Sequence, residues 1–171
     1  MTSLNSGGTD WKRETYSHFV EYILKSHHGY LKKEMPEIER LVFTIFKVHF
    51  FDSGHVLENV HKLFGQLKAE LEAHIIKEER SLFYMIKDYE KAPSKELLEN
   101  IIECIESVEA DNRTVEVILK KLRQITDGYM VPTSGCPTFD LTYKKLTEME
   151  TDLLKHIDIE NTIFTRLREE A

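Results

Sequence analysis

Apolar residues recur at alternating intervals of three and four along most of the chain, which is the pattern of amphipathic helices. Two of these stripes contain polar residues where the interval calls for apolar ones. The first runs Val60, Phe64, Leu67, Leu71, His74, Glu78, Leu82, Met85, and the second runs Leu146, Met149, Leu153, His156, Glu160, Ile163, Leu167. The pattern therefore predicts two long helices whose buried faces each carry one histidine and one glutamate.

The same periodicity, with the breaks between periodic segments, predicts the other elements. A short amphipathic helix is expected over residues 15–25, and a second segment, started or bent by Pro36, to about residue 51. Asp52-Ser53-Gly54 is expected to end it. Long helices are then predicted over residues 55–89, 95–127 and 139–168, with Ser94 as an N-cap and residues 129–138 as a loop. The stripe of the third long helix is expected to be Leu97, Ile101, Cys104, Val108, Asp111, Val115, Ile118, Leu122, Ile125.

Long helices joined by short connections favour an antiparallel arrangement. The fold class predicted is all-α: an antiparallel four-helix bundle with an extra short N-terminal helix. One domain is expected, over residues 11–171, preceded by a flexible tail over residues 1–10. Counting residues outward from the predicted turns places one set of polar side chains in the same layer of the bundle. They are His28, His74, Glu78, Asp111 or Asn112, His156 and Glu160.

The spacing within each polar pair suits metal binding. At i and i+4, a histidine and a glutamate project from one helix face, roughly 6 Å apart along the axis. A buried carboxylate without a partner costs several kcal/mol, and a cation is the simplest compensation. Imidazole and carboxylate together suit iron, manganese or zinc, and two glutamates from different helices can bridge two metal ions. The competing interpretation is a structural bundle whose buried polar pairs hydrogen-bond one another.

Composition and charge exclude several classes of partner. The 171 residues carry a net charge of −7, which argues against nucleic acid or an anionic membrane. The most apolar run, Leu41–Phe51, is interrupted by Lys47 and His49 and is too short to span a bilayer. No signal peptide is expected, and Cys104 and Cys136 form neither a CxxC motif nor a disulfide framework, so a cytoplasmic location is expected.

Several stretches spread over nearly the whole chain resemble one known family. They are Asp10-Trp11, HHGYLKKEMP at residues 27–36, KVHFFDSGH at 47–55, LEAHIIKEERSLF at 71–83, the Cys136 loop and KHIDIEN at 155–161. The chain resembles the hemerythrin-like di-iron proteins, and in particular their iron–sulfur cluster repair branch. Compared with that branch, the small N-terminal cysteine-bearing domain is expected to be missing.

The resemblance implies a non-haem di-iron centre with an oxo or hydroxo bridge, although zinc or manganese is not excluded by ligand type. His28, His74 and His156 would be terminal ligands, and Glu78 and Glu160 would bridge the two ions. The family has a further ligand histidine on its third helix, and that position corresponds to Asn112 here. Asn112, the neighbouring Asp111 or water would complete the coordination.

The function implied is repair of iron–sulfur clusters damaged by nitrosative or oxidative stress. The centre would react with NO, O₂ or peroxide, or donate iron to damaged iron–sulfur proteins, and whether it turns over as an enzyme stays open. The alternative is a hemerythrin-like O₂ or NO sensor or carrier without turnover. The sequence leaves the oligomeric state open, a homodimer included.

The other histidines and the cysteines are assigned ordinary roles. His27 is expected to hydrogen-bond beside the metal ligands, and His49, His55 and His61 to cap helices or lie on the surface. Cys104 is expected to be a small core residue, and Cys136 an unreactive loop thiol.

Overall fold

The structure, a computed structural model, describes residues 8–171, so the predicted tail over residues 1–10 lies largely outside the described residues. Within residues 8–171 the chain forms helices and no strand. They are α1 (Tyr16–Tyr22), a π-helical segment (Ile23–His28), α2 (Gly29–Val48), α3 (Phe50–Lys77), a second π-helical segment (Glu78–Leu82), α4 (Phe83–Lys91), α5 (Lys95–Ile125) and α6 (Pro137–Glu169).

These elements form four bundle helices. The first consists of α1, the Ile23–His28 segment and α2, and the second of α3, the Glu78–Leu82 segment and α4; α5 is the third and α6 the fourth. Each packs against the next along the chain, and α6 packs back against α2, which closes the bundle. The all-α bundle is confirmed. The predicted short N-terminal helix is α1, and it continues through the π-helical segment into α2.

The reversal between the first two bundle helices takes a single residue, His49. The predicted break at Asp52-Ser53-Gly54 is therefore wrong, since α3 already begins at Phe50. Asp52 lies in the first turn of α3, where the helix dipole favours a negative charge, and the amide of Ser53 donates to the carbonyl of His49 at 2.8 Å. Pro36 lies inside α2 and does not start a helix.

The other helix ends follow ordinary capping chemistry. The Ser94 hydroxyl accepts a hydrogen bond from the amide of Leu97 at 3.2 Å, which confirms the predicted N-cap of α5. Pro137 lies at the start of α6, two residues before the predicted start, because proline's fixed φ suits the first helical turn. Asp127, Gly128 and Tyr129 adopt positive φ where α5 ends.

The buried stripe of α5 matches the predicted one at about half of its positions. The predicted members that are buried are Ile101, Val108, Val115, Ile118 and Leu122. Cys104 and Asp111 are only partly buried, and the residues that follow them, Ile105 and Asn112, are buried in their place. Leu98 and Leu119 are buried as well. The predicted stripes of the second and fourth bundle helices are buried as expected, apart from the partly buried Met85.

Two apolar cores fill the bundle, one toward each end. One contains Leu31, Leu71 and Leu153 among others, and the second contains Ile23, Leu82 and Ile163. The polar side chains predicted to share a layer lie between them. Among the described helices, none is both long and apolar enough to cross a membrane.

Candidate metal centre

Two of the polar side chains lie at the ends of the π-helical segments. His28 is the last residue of Ile23–His28, and Glu78 is the first residue of Glu78–Leu82. A π turn accommodates one extra residue. It therefore changes the direction in which nearby side chains point, while the apolar residues on both sides stay in the core. Such turns are frequent at functional sites. The simple periodicity of the sequence does not predict this local widening of the helix.

Four side chains from the second and fourth bundle helices form a compact cluster. His74, Glu78, His156 and Glu160 each place one nitrogen or oxygen within 4.8 Å of the others. None of the four is more than 3% exposed. His74 Nε2 lies 3.9 Å from Glu160 Oε1, and His156 Nε2 lies 3.8 Å from Glu78 Oε2. Each carboxylate therefore faces imidazoles from both helices.

His28 joins the cluster from the first bundle helix. Its Nε2 lies 3.0 Å from Glu78 Oε2, and its Nδ1 lies 3.0 Å from Glu79 Oε1. A neutral imidazole donates from only one nitrogen, so the second contact calls for either an additional proton or a metal ion. The three histidines predicted as ligands thus converge on the two predicted glutamates.

The donor atoms of the cluster fit a bound cation. Glu78 Oε1, Glu160 Oε1 and His156 Nε2 are buried and have no hydrogen-bond partner. Each glutamate oxygen touches the histidine four residues before it without hydrogen-bond geometry. Buried polar atoms are nearly always satisfied, and three unsatisfied atoms facing one space are the arrangement expected of metal ligands. Imidazole and carboxylate suit iron, manganese or zinc.

The protonation of the cluster shows how strongly it attracts positive charge. Burial opposes protonation of His74, but the Glu78 and Glu160 carboxylates outweigh it and raise its pKa to about 11. The same balance, with Glu160 the nearer carboxylate, raises the pKa of His156 to about 10. Burial likewise opposes ionisation of Glu78, and the surrounding histidines hold its pKa well below its usual value. The two buried carboxylates therefore require nearby cations, either protons on imidazole or metal ions.

Carboxylates lie behind two of the histidines. Glu79 accepts from His28 and also from Lys32, whose Nζ lies 2.7 Å away. Asp111 Oδ2 lies 3.5 Å from His74 Nδ1. The hydrogen bond of His28 with Glu79 sets the tautomer of that imidazole and strengthens it as a ligand, whereas His74 Nδ1 faces Asp111 without a hydrogen bond. Sequence reasoning missed Glu79, although it directly follows a predicted ligand.

His27 supports the cluster without belonging to it. Its ring stacks on His156 with centroids 5.0 Å apart, and its Nδ1 lies 3.0 Å from Asp152 Oδ1. This agrees with the hydrogen-bonding role predicted for His27. The contact of His27 with Asp152 was not predicted. The spacing of Asp152, four residues before His156 on the same helix face, could have indicated that it lies near the cluster.

The structure distinguishes the two candidates for the third bundle helix. Asn112 is 6% exposed, and its Nδ2 donates to Glu160 Oε2 at 3.1 Å. Asp111 is paired with Lys77, whose Nζ lies 2.6 Å from its Oδ2. Asn112 therefore faces the cluster, while Asp111 lies behind His74.

Comparison with known proteins agrees with this geometry. Residues 20–167 match the hemerythrin family described as the hemerythrin HHE cation-binding domain. Proteins named iron-sulfur cluster repair protein YtfE are similar to the chain: that of Edwardsiella ictaluri is 27% identical over 157 residues, covering 90% of this chain and 66% of the relative. That of Cronobacter sakazakii is 27% identical over 158 residues, covering 92% of this chain and 68% of the relative.

The chain thus spans about two-thirds of the length of these curated relatives. The matched family region contains every polar side chain of the cluster, from His28 to Glu160. The predicted resemblance is confirmed, and the chain belongs to the hemerythrin HHE cation-binding domain family.

Proposed function

We propose that the chain is a non-haem di-iron protein that acts in the repair of iron–sulfur clusters damaged by nitrosative or oxidative stress, in the cytoplasm. The observation that carries the proposal is the buried layer of three histidines and two glutamates with unsatisfied donor atoms. The names of the similar proteins support the repair role. The clients would be damaged iron–sulfur proteins.

In this proposal, the His28, His74 and His156 imidazoles and the Glu78 and Glu160 carboxylates would hold the two metal ions. Two ferrous ions bound there would supply reducing electrons and a place for NO, O₂ or peroxide to bind. The flanking apolar cores exclude bulk water, and Glu79 holds the His28 ring in position through its hydrogen bond.

A surface cavity lies beside the cluster. It has a volume of about 280 Å³, and its lining includes Asn112 together with Arg113 and Asn161. Asn112 separates the cavity from Glu160, to which it is hydrogen-bonded. NO, O₂ and peroxide are small enough to enter such a cavity, and it lies beside Asn112, the position to which the family resemblance assigns a ligand histidine.

The test is recovery of an NO-damaged iron–sulfur dehydratase incubated anaerobically with the iron-loaded protein. We expect faster recovery of dehydratase activity than with buffer, and loss of that gain in Glu160→Gln. Asp158→Asn is the matched control, since Asp158 is an exposed carboxylate on the same helix. Labelling the protein with ⁵⁷Fe distinguishes the routes: label in the repaired cluster indicates iron donation, and unlabelled repair indicates reaction with NO. Recovery that Glu160→Gln leaves unchanged would contradict the proposal.

A further inference from the structure

Cys136, His49 and Asp52 form a second cluster of reactive side chains, far from the metal centre. His49 Nε2 lies 3.2 Å from Cys136 Sγ, and His49 Nδ1 lies 3.0 Å from Asp52 Oδ2. Twenty residues of α6 separate Cys136 from His156, which corresponds to about 30 Å at the helical rise per residue. The order thiol, imidazole, carboxylate is the arrangement that activates a cysteine nucleophile.

The fold holds His49 firmly in this arrangement. His49 is the one residue between α2 and α3, its amide donates to the Ile45 carbonyl at 2.9 Å, and it is 7% exposed. Its ring packs edge-on against Phe139, with centroids 5.1 Å apart. His49 does occupy the N-cap position of α3, as one of the two expected roles requires, but its side chain makes no capping hydrogen bond. The side chain is not on the surface either, because it is buried against Cys136.

The loop before α6 brings Cys136 to the imidazole. The amide of Gly135 donates to the Pro132 carbonyl at 2.8 Å, closing a tight turn. A Cβ on Gly135 would overlap the Val131 side chain and lie 2.9 Å from the Pro132 carbonyl oxygen, so only glycine fits this turn without displacing the loop. The Ser134 hydroxyl donates to Asp52 Oδ2 at 3.0 Å, which ties the loop to the carboxylate.

The surroundings of the sulfur stabilise its ionised form. The hydrogen bond from His49, and then the amides of Phe139 and Thr138 at the start of α6, lower the pKa of Cys136 below its usual value. The contacts with Cys136 and with Asp52 raise the pKa of His49. Asp52 is the charged side chain that contacts this pair. Cys104 differs, because burial raises the pKa of its thiol.

We propose that Cys136 is a reactive thiol that forms mixed disulfides with low-molecular-weight disulfides, with His49 as its acid–base partner. The Cys136 thiolate attacks one sulfur of RS–SR, so a Cys136–SR bond forms and the original S–S bond breaks. The departing RS⁻ takes the proton from His49 Nε2 and leaves as RSH, which balances the exchange. Asp52 is a positioning residue that holds the imidazole through Nδ1.

An internal disulfide does not compete with this reaction. Cys104 packs against the apolar core that contains Leu82 and Ile163, whereas Cys136 packs against the other core. These are the only two cysteines of the 171 residues. The oxidised product is therefore a disulfide with an external thiol, and it forms independently of the proposed iron chemistry.

The test uses the full, metal-bearing chain with oxidised glutathione as the probe, under anaerobic conditions. Peptide mass spectrometry measures the rate of mixed-disulfide formation at each cysteine. We expect modification at Cys136 and not at Cys104, and a rate about three- to tenfold above that of an ordinary thiol at neutral pH, since the larger thiolate fraction outweighs the lower nucleophilicity.

Two variants test the role of the imidazole and the carboxylate. His49→Gln and Asp52→Asn should slow the exchange at neutral pH by about three- to tenfold, and both differences should vanish at alkaline pH, where any thiol ionises. His55→Gln is the matched control, because His55 is exposed on the same helix as Asp52. Thermal unfolding of each variant checks that the bundle is intact. If His49→Gln fails to fold, Asp52→Asn still tests the proposal, because Asp52 is the more exposed of the two residues.

Three results would overturn the proposal. They are equal rates at Cys136 and Cys104, a pH profile that Asp52→Asn leaves unchanged in an intact protein, and oxidation of Cys136 by hydrogen peroxide without any exchange with glutathione disulfide.

Discussion

Asn112 donates a hydrogen bond to Glu160, with Nδ2 and Oε2 3.1 Å apart, in the layer where three histidines and a second glutamate converge. Asn112 is a neutral amide on the buried stripe of α5, at the position where the family resemblance implies a ligand histidine. It offers a weaker ligand than imidazole, and it borders the cavity on that side.

Asn112→His should therefore strengthen metal retention. The new imidazole would lie on the same stripe as Asn112 and supply the ligand that the family resemblance calls for. We expect iron to be lost to a chelator about tenfold more slowly than from the unmodified chain, measured by absorbance of the iron–chelator complex.

Asn161→His is the control for this substitution, because Asn161 lines the same cavity from an exposed position on α6. It should leave the rate of iron loss unchanged. Equal rates of iron loss from Asn112→His and from the unmodified chain would show that a histidine at position 112 does not bind the metal.

His74→Ala separates the metal-binding and structural interpretations of the buried pairs. Removing one proposed ligand should lower the iron content by at least half, while circular dichroism still shows a helical bundle. His61→Ala, an exposed histidine on the same helix, should keep the iron content of the unmodified chain. A change in stability at His74→Ala with no change in iron content would favour hydrogen bonding as the sole role of the pair.

The ion pair of Arg123 with Glu150 predicts an asymmetry between two substitutions. Arg123 Nε lies 3.2 Å from Glu150 Oε1, with a second contact from its Nη2, and Glu150 is 5% exposed whereas the Arg123 side chain is 52% exposed. Arg123→Gln leaves a buried carboxylate without its cation and should cost about 1–3 kcal/mol of unfolding free energy.

Glu150→Gln should cost less, because the remaining arginine is hydrated. Urea unfolding of the metal-free protein measures both variants, with Lys121→Gln as a surface control. Equal costs for Arg123→Gln and Glu150→Gln would contradict the argument from burial.

The pair of Arg168 with Glu109 predicts a pH-dependent contribution to stability. Arg168 Nη1 and Nη2 lie 2.6 and 2.7 Å from the two carboxylate oxygens, and the hydrogen bond from Arg168 holds the pKa of Glu109 below its usual value of 4.5. A carboxylate whose pKa is lowered by folding contributes stability above its unfolded pKa and loses it as the pH falls through its folded value.

Arg168→Gln should therefore lower the unfolding free energy at neutral pH by about 0.5–1 kcal/mol. The loss is small because solvent screens this partly exposed ion pair. The difference from the unmodified chain should persist down to about pH 4.5 and shrink below it, since the usual pKa of Glu109 is 4.5. High salt should shrink it as well. A difference that grows toward acid pH would contradict this assignment.

The helical periodicity was sufficient to predict the bundle and the polar layer. Every predicted member of the α6 stripe from Leu146 to Leu167 is buried. Counting residues from the predicted turns placed His28, His74 and Glu160 in one layer, and the structure brings these side chains together. Periodicity works here because each helix buries one continuous face.

Periodicity failed where local chemistry or distant contacts decide the structure. The α5 stripe passes through Ile105 and Asn112, one residue later than predicted, because Cys104 and Ile105 are both acceptable in a core. Asp52-Ser53-Gly54 has the composition of a turn but lies inside α3. The contact of His49 with Cys136 joins residues 87 apart in sequence, and no local pattern reports it.

Mössbauer spectroscopy, with iron analysis, of protein purified anaerobically and then oxidised tests most directly whether the buried histidines and glutamates hold two iron ions. We expect two irons per chain with the spectrum of a magnetically coupled pair, and loss of that pair in Glu160→Gln. Fewer than one iron per chain, or uncoupled iron that Glu160→Gln leaves unchanged, would contradict it.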